Sequence, residues 1–115
     1  MLFIIAHHDR GKLEVLTQSL LLAFRGSVVY QHTDASQILR EAVLYDADAV
    51  YLECQPSGAV LTSLLRSLRR KQPELPVFLI SGEEMCSEVA CEEYSALLHD
   101  SVQPDELVAA LQAAR

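Results

Sequence analysis

Apolar residues along the chain alternate between short continuous runs and longer stretches in which they recur at helical spacing. The continuous runs predict strands at residues 2–6, 27–30, 47–52, 77–80 and 96–98. Runs of this length, with few polar residues inside them, are typical of strands that are covered on both faces of a parallel sheet. The pattern therefore predicts five strands in one sheet.

The segments that follow these runs predict five helices. Their apolar positions fall within residues 13–24, 38–43, 60–68, 85–90 and 107–111. Gly26 follows the first helix as a stop signal, and Asp34 is predicted to cap the second, with Gln37 at the reciprocal position. The fourth helix, predicted over residues 83–93, is acidic and has few apolar residues. Pro104, followed by two acidic residues, opens the last helix.

Strands that alternate with helices through short turns predict a single α/β domain. Right-handed crossovers place successive strands parallel, so the sheet is expected to lie between two layers of helices. A length of 115 residues, half of them hydrophobic, suits one such domain with one sheet. In sheets of this kind, ligands collect outside the carboxyl ends of the strands.

The charge balance excludes several classes of partner. The chain has 9 basic and 16 acidic residues and a net charge of −7, which disfavours binding to nucleic acid or to an anionic membrane surface. A basic cluster, Arg66, Arg69, Arg70 and Lys71, lies where it complements the dipole of the third helix. Three cysteines without a CxxC pair, and no apolar segment long enough to span a membrane, predict a cytoplasmic protein.

Polar side chains follow the predicted strands at the edge where ligands are expected. They are His7, His8 and Asp9 after the first strand, Glu53 after the third, Ser81 and Gly82 after the fourth, and His99, Asp100 and Ser101 after the fifth. A carboxylate at such a strand end is compatible with ligand chemistry. Glu53 could equally be the first solvated residue of a loop.

The whole chain resembles the receiver domain of two-component response regulators. The resemblance is carried by the length, the βα order and three stretches, DAVYLE before Pro56, PVFLISG and QPDELVAAL. It implies a flavodoxin-like, three-layer sandwich with five helices and a five-stranded parallel sheet in the order 2-1-3-4-5. It also implies a role in signal transduction or transcription regulation.

The residues that carry chemistry in receivers are mostly replaced here. The acidic pair falls on His8 and Asp9, or on His7 and His8 after a shift of one residue. The phosphorylated aspartate falls on Glu53, and the hydroxyl position keeps a serine, Ser81. The resemblance thus implies a phosphorylation site that has lost at least one carboxylate of its pair.

The remaining positions of the receiver pattern depart further. The lysine falls on Asp100 and the proline after it on Ser101, while the aromatic switch position falls on Leu97. Phosphotransfer needs a divalent cation, a correctly placed acceptor and a positive charge for the transferred phosphoryl group. Glu53 is one methylene longer than aspartate, and Asp100 reverses the charge of the lysine. Ordinary phosphorylation is therefore disfavoured.

These departures predict a pseudo-receiver, a non-catalytic regulatory module that works without phosphorylation and without a cofactor. It is expected either as the N-terminal part of a larger regulator or as a stand-alone adaptor. A protein partner or a second copy is expected to contact the region that begins at Glu83 and ends at Arg115. Enzymatic function is disfavoured because there is no GxSxG elbow and the acidic surroundings of Cys54 oppose a thiolate.

Alternatives for the same edge remain open. Glu53 either imitates a phosphorylated aspartate through its fixed charge or is a solvated residue with no signalling role. A metal or small anion held by His8, Asp9, Glu53 and Ser81 is a second hypothesis, with His7, His99 and Asp100 as further donors. Against a metal, neighbouring histidines on a strand are expected to point apart. An atypical phosphoacceptor, and a pH-sensitive pairing of His8 with Glu53, are the other hypotheses.

Overall fold

The fold is described from a computed structural model, which covers residues 1–34, 36–53, 58–81, 94–99 and 101–114, with the backbone alone for 58–62. Five strands and four helices lie in these residues. In chain order they are β1 (Leu2–Ala6), α1 (Arg10–Ala23), β2 (Val28–His32), α2 (Ile38–Leu44), β3 (Ala49–Glu53), α3 (Gly58–Lys71), β4 (Val77–Ser81), β5 (Ala96–His99) and α4 (Pro104–Ala114). The fourth predicted helix, over residues 83–93, lies outside the described part of the chain.

All five strands are parallel and form one sheet in the order β2-β1-β3-β4-β5. This order confirms the α/β architecture and the sheet order that the receiver resemblance implies. β1, β3 and β4 are central, and β3 and β4 bury nearly every residue, whereas β2 and β5 are half-buried edge strands. The continuous apolar runs thus mark the strands with neighbours on both sides.

Four strands extend beyond their predicted carboxyl ends in a way that matters for the site. β2 continues to His32 rather than Tyr30, β3 to Glu53 rather than Leu52, β4 to Ser81 rather than Ile80, and β5 to His99 rather than Leu98. Each extension adds a polar residue at the carboxyl end. The strands extend because backbone groups of the neighbouring strands are still in position to pair with these residues. Ala6 is in register with His32, and Glu53 is in register with Ile80.

Two apolar cores cover the two faces of the sheet. One contains buried residues of α2 and α3, and the other contains buried residues of α1 and α4. Alternate residues of each strand enter opposite cores, as Ile4 and Phe3 do in β1. This division confirms the sandwich of helices around the sheet.

One helix N-terminus has a side-chain cap that the sequence did not predict, and another lacks the cap that it did predict. Asp9 is the N-cap of α1, and its carboxylate accepts hydrogen bonds from the backbone of Gly11 and Lys12. The cap predicted at Asp34 is wrong, because the carboxylate of Asp34 accepts the backbone N–H of Ser36 in a local turn. α2 begins instead after Gln37, which makes no side-chain capping bond.

Among the basic residues at the end of α3, Arg69 has a structural role. The guanidinium of Arg69 donates to the backbone carbonyls of Pro73 and Leu75, each at 3.0 Å. These bonds tie the end of α3 to the segment that enters β4. None of the described helices combines the length and apolar character that a membrane crossing requires.

Candidate functional site at the carboxyl edge of the sheet

The carboxyl ends of the central strands bring histidine and carboxylate side chains together. Ala6, the last residue of β1, is in register with Leu52, so the chain leaving β1 lies beside Glu53 at the end of β3. Ser81 ends β4 and is in register with His99, the last residue of β5. The site is therefore built from backbone that the sheet fixes.

Glu53 is held by its neighbours across the sheet. The backbone N–H of His8 donates to Oε1 of Glu53 at 3.2 Å, and the ring Nδ1 of His8 contacts Oε2. Nδ1 of His7 lies 3.5 Å from the same Oε2. The Glu53 side chain is 14% exposed, so it is not the solvated loop residue that the sequence left open. The pairing of His8 with Glu53, one of the open hypotheses, is present as a contact.

The two histidines lie on the same side of the chain. Their rings stack with centroids 5.3 Å apart and an interplanar angle of 15°. The expectation that they point apart is wrong because β1 ends at Ala6, so that the alternation of side chains along a strand no longer applies to His7 and His8. One donor atom from each of His7, His8 and Glu53 lies within 4.8 Å of the others.

His7 is the buried member of the group, with 5% of its surface exposed. Its backbone N–H donates to the carbonyl of His32 at 3.0 Å, and its Nδ1 accepts the backbone N–H of Asp9 at 3.0 Å. Burial lowers the pKa of His7, although the charge of Glu53 opposes that effect. His7 is thus a buried, hydrogen-bonded histidine next to the end of β1.

Asp9 does not contribute its carboxylate to this group. Oδ1 accepts the backbone N–H of Gly11 at 2.9 Å and that of Lys12 at 3.2 Å. The bond from Lys12 is the main cause that holds the pKa of Asp9 below its ordinary value. The residue that the sequence aligned with an acidic metal ligand therefore serves to cap α1.

The other candidates occupy the far side of the edge. Ser81 is buried at the end of β4, and Leu97 is half-buried in β5, against the core formed with α2 and α3. Nδ1 of His99 accepts the backbone N–H of Ser101 at 3.1 Å and lies 2.7 Å from its hydroxyl. Asp100, Gly82 and Cys54 lie outside the described residues, so the predicted roles of the lysine position and the thiol stay predictions.

A second histidine–carboxylate pair was missed by sequence reasoning. Nε2 of His32, the last residue of β2, contacts Oε2 of Glu41 in α2, and each side chain is 20% exposed. The apolar run ended at Tyr30 in the sequence, which hid His32 as a strand residue. Glu41 lies three residues after the buried Ile38, so helical spacing was the signal that could have placed it on the face of α2 toward the sheet.

Comparison with known proteins supports the fold alone. No family model and no curated protein matches the chain. A response regulator receiver domain protein from Clostridium thermocellum is 18% identical with a TM-score of 0.79, and the match covers 98% of this chain and 92% of that one. A putative pilus assembly-related protein from Burkholderia pseudomallei is 19% identical with a TM-score of 0.80, covering 99% and 88%.

A putative pilus assembly protein from Burkholderia thailandensis is also similar, at 22% identity and a TM-score of 0.78, with 99% of this chain and 97% of that chain covered. The chain therefore has the receiver fold, as its sequence indicated. At these identities, the function has to be argued from the residues at the strand ends.

Proposed function

We propose that this chain is a pseudo-receiver, a regulatory module of two-component-type signalling that acts through protein contacts without being phosphorylated. The observation that carries the proposal is the engagement of Glu53. At the position of the phosphoacceptor, its carboxylate accepts the backbone N–H of His8, contacts the ring of His8 and lies beside His7. A carboxylate held in this way is a poor nucleophile for an incoming phosphoryl group.

The surroundings of Glu53 add to this argument. Magnesium-dependent phosphotransfer needs several oxygen ligands around the ion. Asp9 uses its carboxylate to cap α1, and among the described residues the metal-ligating side chains grouped with Glu53 are those of His7 and His8. The sequence also places Asp100 where receivers carry a lysine that binds the phosphoryl group. These features support a module that neither accepts a phosphoryl group nor catalyses a reaction.

The proposal extends to the partner and the setting of the domain. The region from Glu83 to Arg115 is the proposed contact surface for a protein partner or a second copy, and its acidic residues favour a basic partner. The domain is proposed to work in the cytoplasm, as the N-terminal part of a larger regulator or as an adaptor. Its fold neighbours include a response regulator receiver domain protein and two putative pilus assembly proteins.

Incubation with acetyl phosphate and Mg²⁺, followed by intact-mass measurement at neutral pH, tests the proposal. We expect the unmodified mass, whereas a receiver with a complete acidic pair, treated in parallel, gains one phosphoryl group. A phosphoryl adduct on this chain that disappears in Glu53→Ala would overturn the proposal and support the atypical phosphoacceptor. An adduct that persists in Glu53→Ala lies elsewhere on the chain and also contradicts phosphorylation-independent function.

The role of the fixed charge at Glu53 needs a separate measurement. Glu53→Gln removes the charge and keeps the shape, so an altered monomer–dimer equilibrium in sedimentation would support imitation of a phosphorylated aspartate. His8→Ala is the matched control, because it removes the ring contact to the carboxylate while leaving the charge of Glu53 in place. If neither variant shifts the equilibrium, Glu53 serves the local structure of the strand ends only.

A further inference from the structure

Three side chains at the carboxyl edge form a constellation that differs in chemistry from a magnesium site. They are His7, His8 and Glu53, which offer two imidazole nitrogens and one carboxylate oxygen within 4.8 Å of one another. Hard cations such as Mg²⁺ prefer six oxygen ligands, whereas imidazole together with carboxylate suits Zn²⁺ and similar first-row transition metals. The geometry points to a transition-metal binding site at His7, His8 and Glu53.

The distances fit a single ion. Zn²⁺ binds histidine nitrogen and carboxylate oxygen at about 2.0–2.2 Å, so two ligands of a tetrahedral site lie roughly 3.4 Å apart. Nδ1 of His7 lies 3.5 Å from Oε2 of Glu53, close to that separation. Nδ1 of His8 contacts the same oxygen and has to move away from it by the width of an ion. His8 is 76% exposed, which gives its side chain the freedom to do so.

Hydrogen bonds from the backbone hold two of the three ligands in place. Oε1 of Glu53 accepts the backbone N–H of His8, which orients the carboxylate and leaves Oε2 for an ion. The backbone N–H of His7 donates to the carbonyl of His32, which fixes the buried ligand to β2. Two ligands are thus held by the sheet, and the third lies at the solvent side, where an ion enters.

Binding exchanges existing contacts for metal bonds in a balanced way. The ion takes the place of the hydrogen bond between His8 Nδ1 and Glu53 Oε2. His8 then binds it as a neutral imidazole whose single N–H is at Nε2, and any proton beyond that one leaves to solvent. At His7, the ion replaces the backbone N–H of Asp9 as the partner of Nδ1, and Asp9 is exposed, so that water can satisfy its N–H. Three protein ligands leave a fourth position open for water or for a group of a partner protein.

The inference concerns metal binding and stands whether or not the domain is a pseudo-receiver. It also narrows the sequence-based hypothesis, which offered His8, Asp9, Glu53 and Ser81 with His7, His99 and Asp100 as further donors. Asp9 leaves the set because its carboxylate caps α1, and His7 is kept because its Nδ1 lies beside Glu53. The phosphodonor experiment above does not depend on this outcome, so the two proposals fail separately.

Calorimetric titration of tag-free, chelator-treated protein with ZnCl₂ tests the site, with MgCl₂ in a parallel titration. We expect one Zn²⁺ per chain, a raised melting temperature with Zn²⁺ and no comparable rise with Mg²⁺. Loss of a residue that only hydrogen-bonds to a metal ligand already weakens metal binding by about 10–100-fold. Losing a ligand in His8→Ala or Glu53→Gln should therefore weaken Zn²⁺ binding by about 100-fold or more.

The chain provides matched controls. His32→Ala removes a histidine that also pairs with a carboxylate at this edge, and it should bind Zn²⁺ as the unchanged protein does. Co²⁺ in place of Zn²⁺ should show visible bands of a nitrogen and oxygen site without the charge-transfer band of thiolate ligands. No Zn²⁺ binding, unchanged affinity in His8→Ala, thiolate bands, or an equal response to Mg²⁺ would each overturn the inference.

Discussion

The backbone N–H and the ring of His8 both contact the carboxylate of Glu53. The second residue after β1 thus holds the last residue of β3. The two partners differ in exposure: the His8 side chain is 76% exposed and that of Glu53 is 14% exposed. The contact therefore joins two central strands at the surface, where solvent screens its charge.

A double-mutant cycle should assign a small coupling energy to the His8–Glu53 pair. Exposed ion pairs contribute about 0.2–1 kcal/mol, and His8→Ala combined with Glu53→Gln should couple within that range. Urea unfolding of the four proteins of the cycle at neutral pH measures the energy. The backbone bond from His8 to Oε1 survives in His8→Ala, which isolates the contribution of the ring.

The pair formed by His32 and Glu41 is the matched comparison. Both side chains are 20% exposed, so less solvent screens their contact, and a bond to a charged group in such a setting contributes about 1.5–3 kcal/mol. We expect the coupling in this second cycle to exceed that of His8 and Glu53. Equal couplings would show that exposure does not govern the strength of these two contacts.

Asp9→Ala should lower the stability of the domain more than Asp9→Asn does. Asparagine retains a side-chain oxygen that accepts the backbone N–H groups of Gly11 and Lys12, whereas alanine leaves the first turn of α1 without a cap. Thermal unfolding at neutral pH measures the melting temperatures of the unchanged chain, Asp9→Asn and Asp9→Ala. A melting temperature of Asp9→Ala equal to that of the unchanged chain would contradict a capping role.

Acid titration should separate two contributions of Asp9 to stability, that of its charge and that of its capping oxygen. The hydrogen bond from the Lys12 backbone lowers the pKa of Asp9 from its ordinary 3.8, so the folded state favours the ionised form. The stability that ionised Asp9 contributes is fully present at pH values above its ordinary pKa, and it is lost as the pH falls through the lowered pKa. Between pH 5 and pH 2, the urea midpoint of Asp9→Asn should therefore fall less than that of the unchanged chain.

Tyr51→Phe should leave the free energy of unfolding unchanged or raise it by up to about 2 kcal/mol. The ring stacks on Phe78 with centroids 5.1 Å apart, and among the described residues the hydroxyl has no hydrogen-bond partner. Burial raises the pKa of Tyr51, in line with a desolvated hydroxyl. Removing that hydroxyl keeps the packing and ends the desolvation cost.

Phe78→Ala is the control for the packing of the same pair. Deleting this ring from the core should lower the free energy of unfolding by about 3–5 kcal/mol, because it removes buried area and leaves a cavity. Both variants are measured by urea unfolding. A clear loss of stability in Tyr51→Phe would mean that the hydroxyl is hydrogen-bonded in the folded protein.

Gly26→Ala should destabilise the domain by about 1–2 kcal/mol, through the backbone alone. Gly26 follows α1 with φ of +79°, and a Cβ there would meet no atom of the described chain within 4 Å. The expected loss thus comes from the left-handed conformation and not from a clash. Asparagine tolerates this conformation better than alanine, so Gly26→Asn should lose less in the same unfolding measurement.

Local patterns predicted the elements well where the sequence contains one dominant signal. The continuous apolar run of β4 and the Pro-Asp-Glu start of α4 both appear where they were expected. The start of α2 did not, because Asp34 forms a turn with Ser36 instead of capping the helix. Both arrangements satisfy the same carboxylate, so the sequence alone does not distinguish them.

The sequence by itself determined the α/β architecture and the presence of polar residues at the carboxyl ends of β1, β3, β4 and β5. These follow from periodicity and from which residue types are present, both of which are local properties. Only the tertiary structure decided that Glu53 contacts His8, that Asp9 turns to α1 and that His7 joins the group. The contacts of Glu53 with His7 and His8 join residues about 45 positions apart, and their geometry depends on strand register and on the turn after β1.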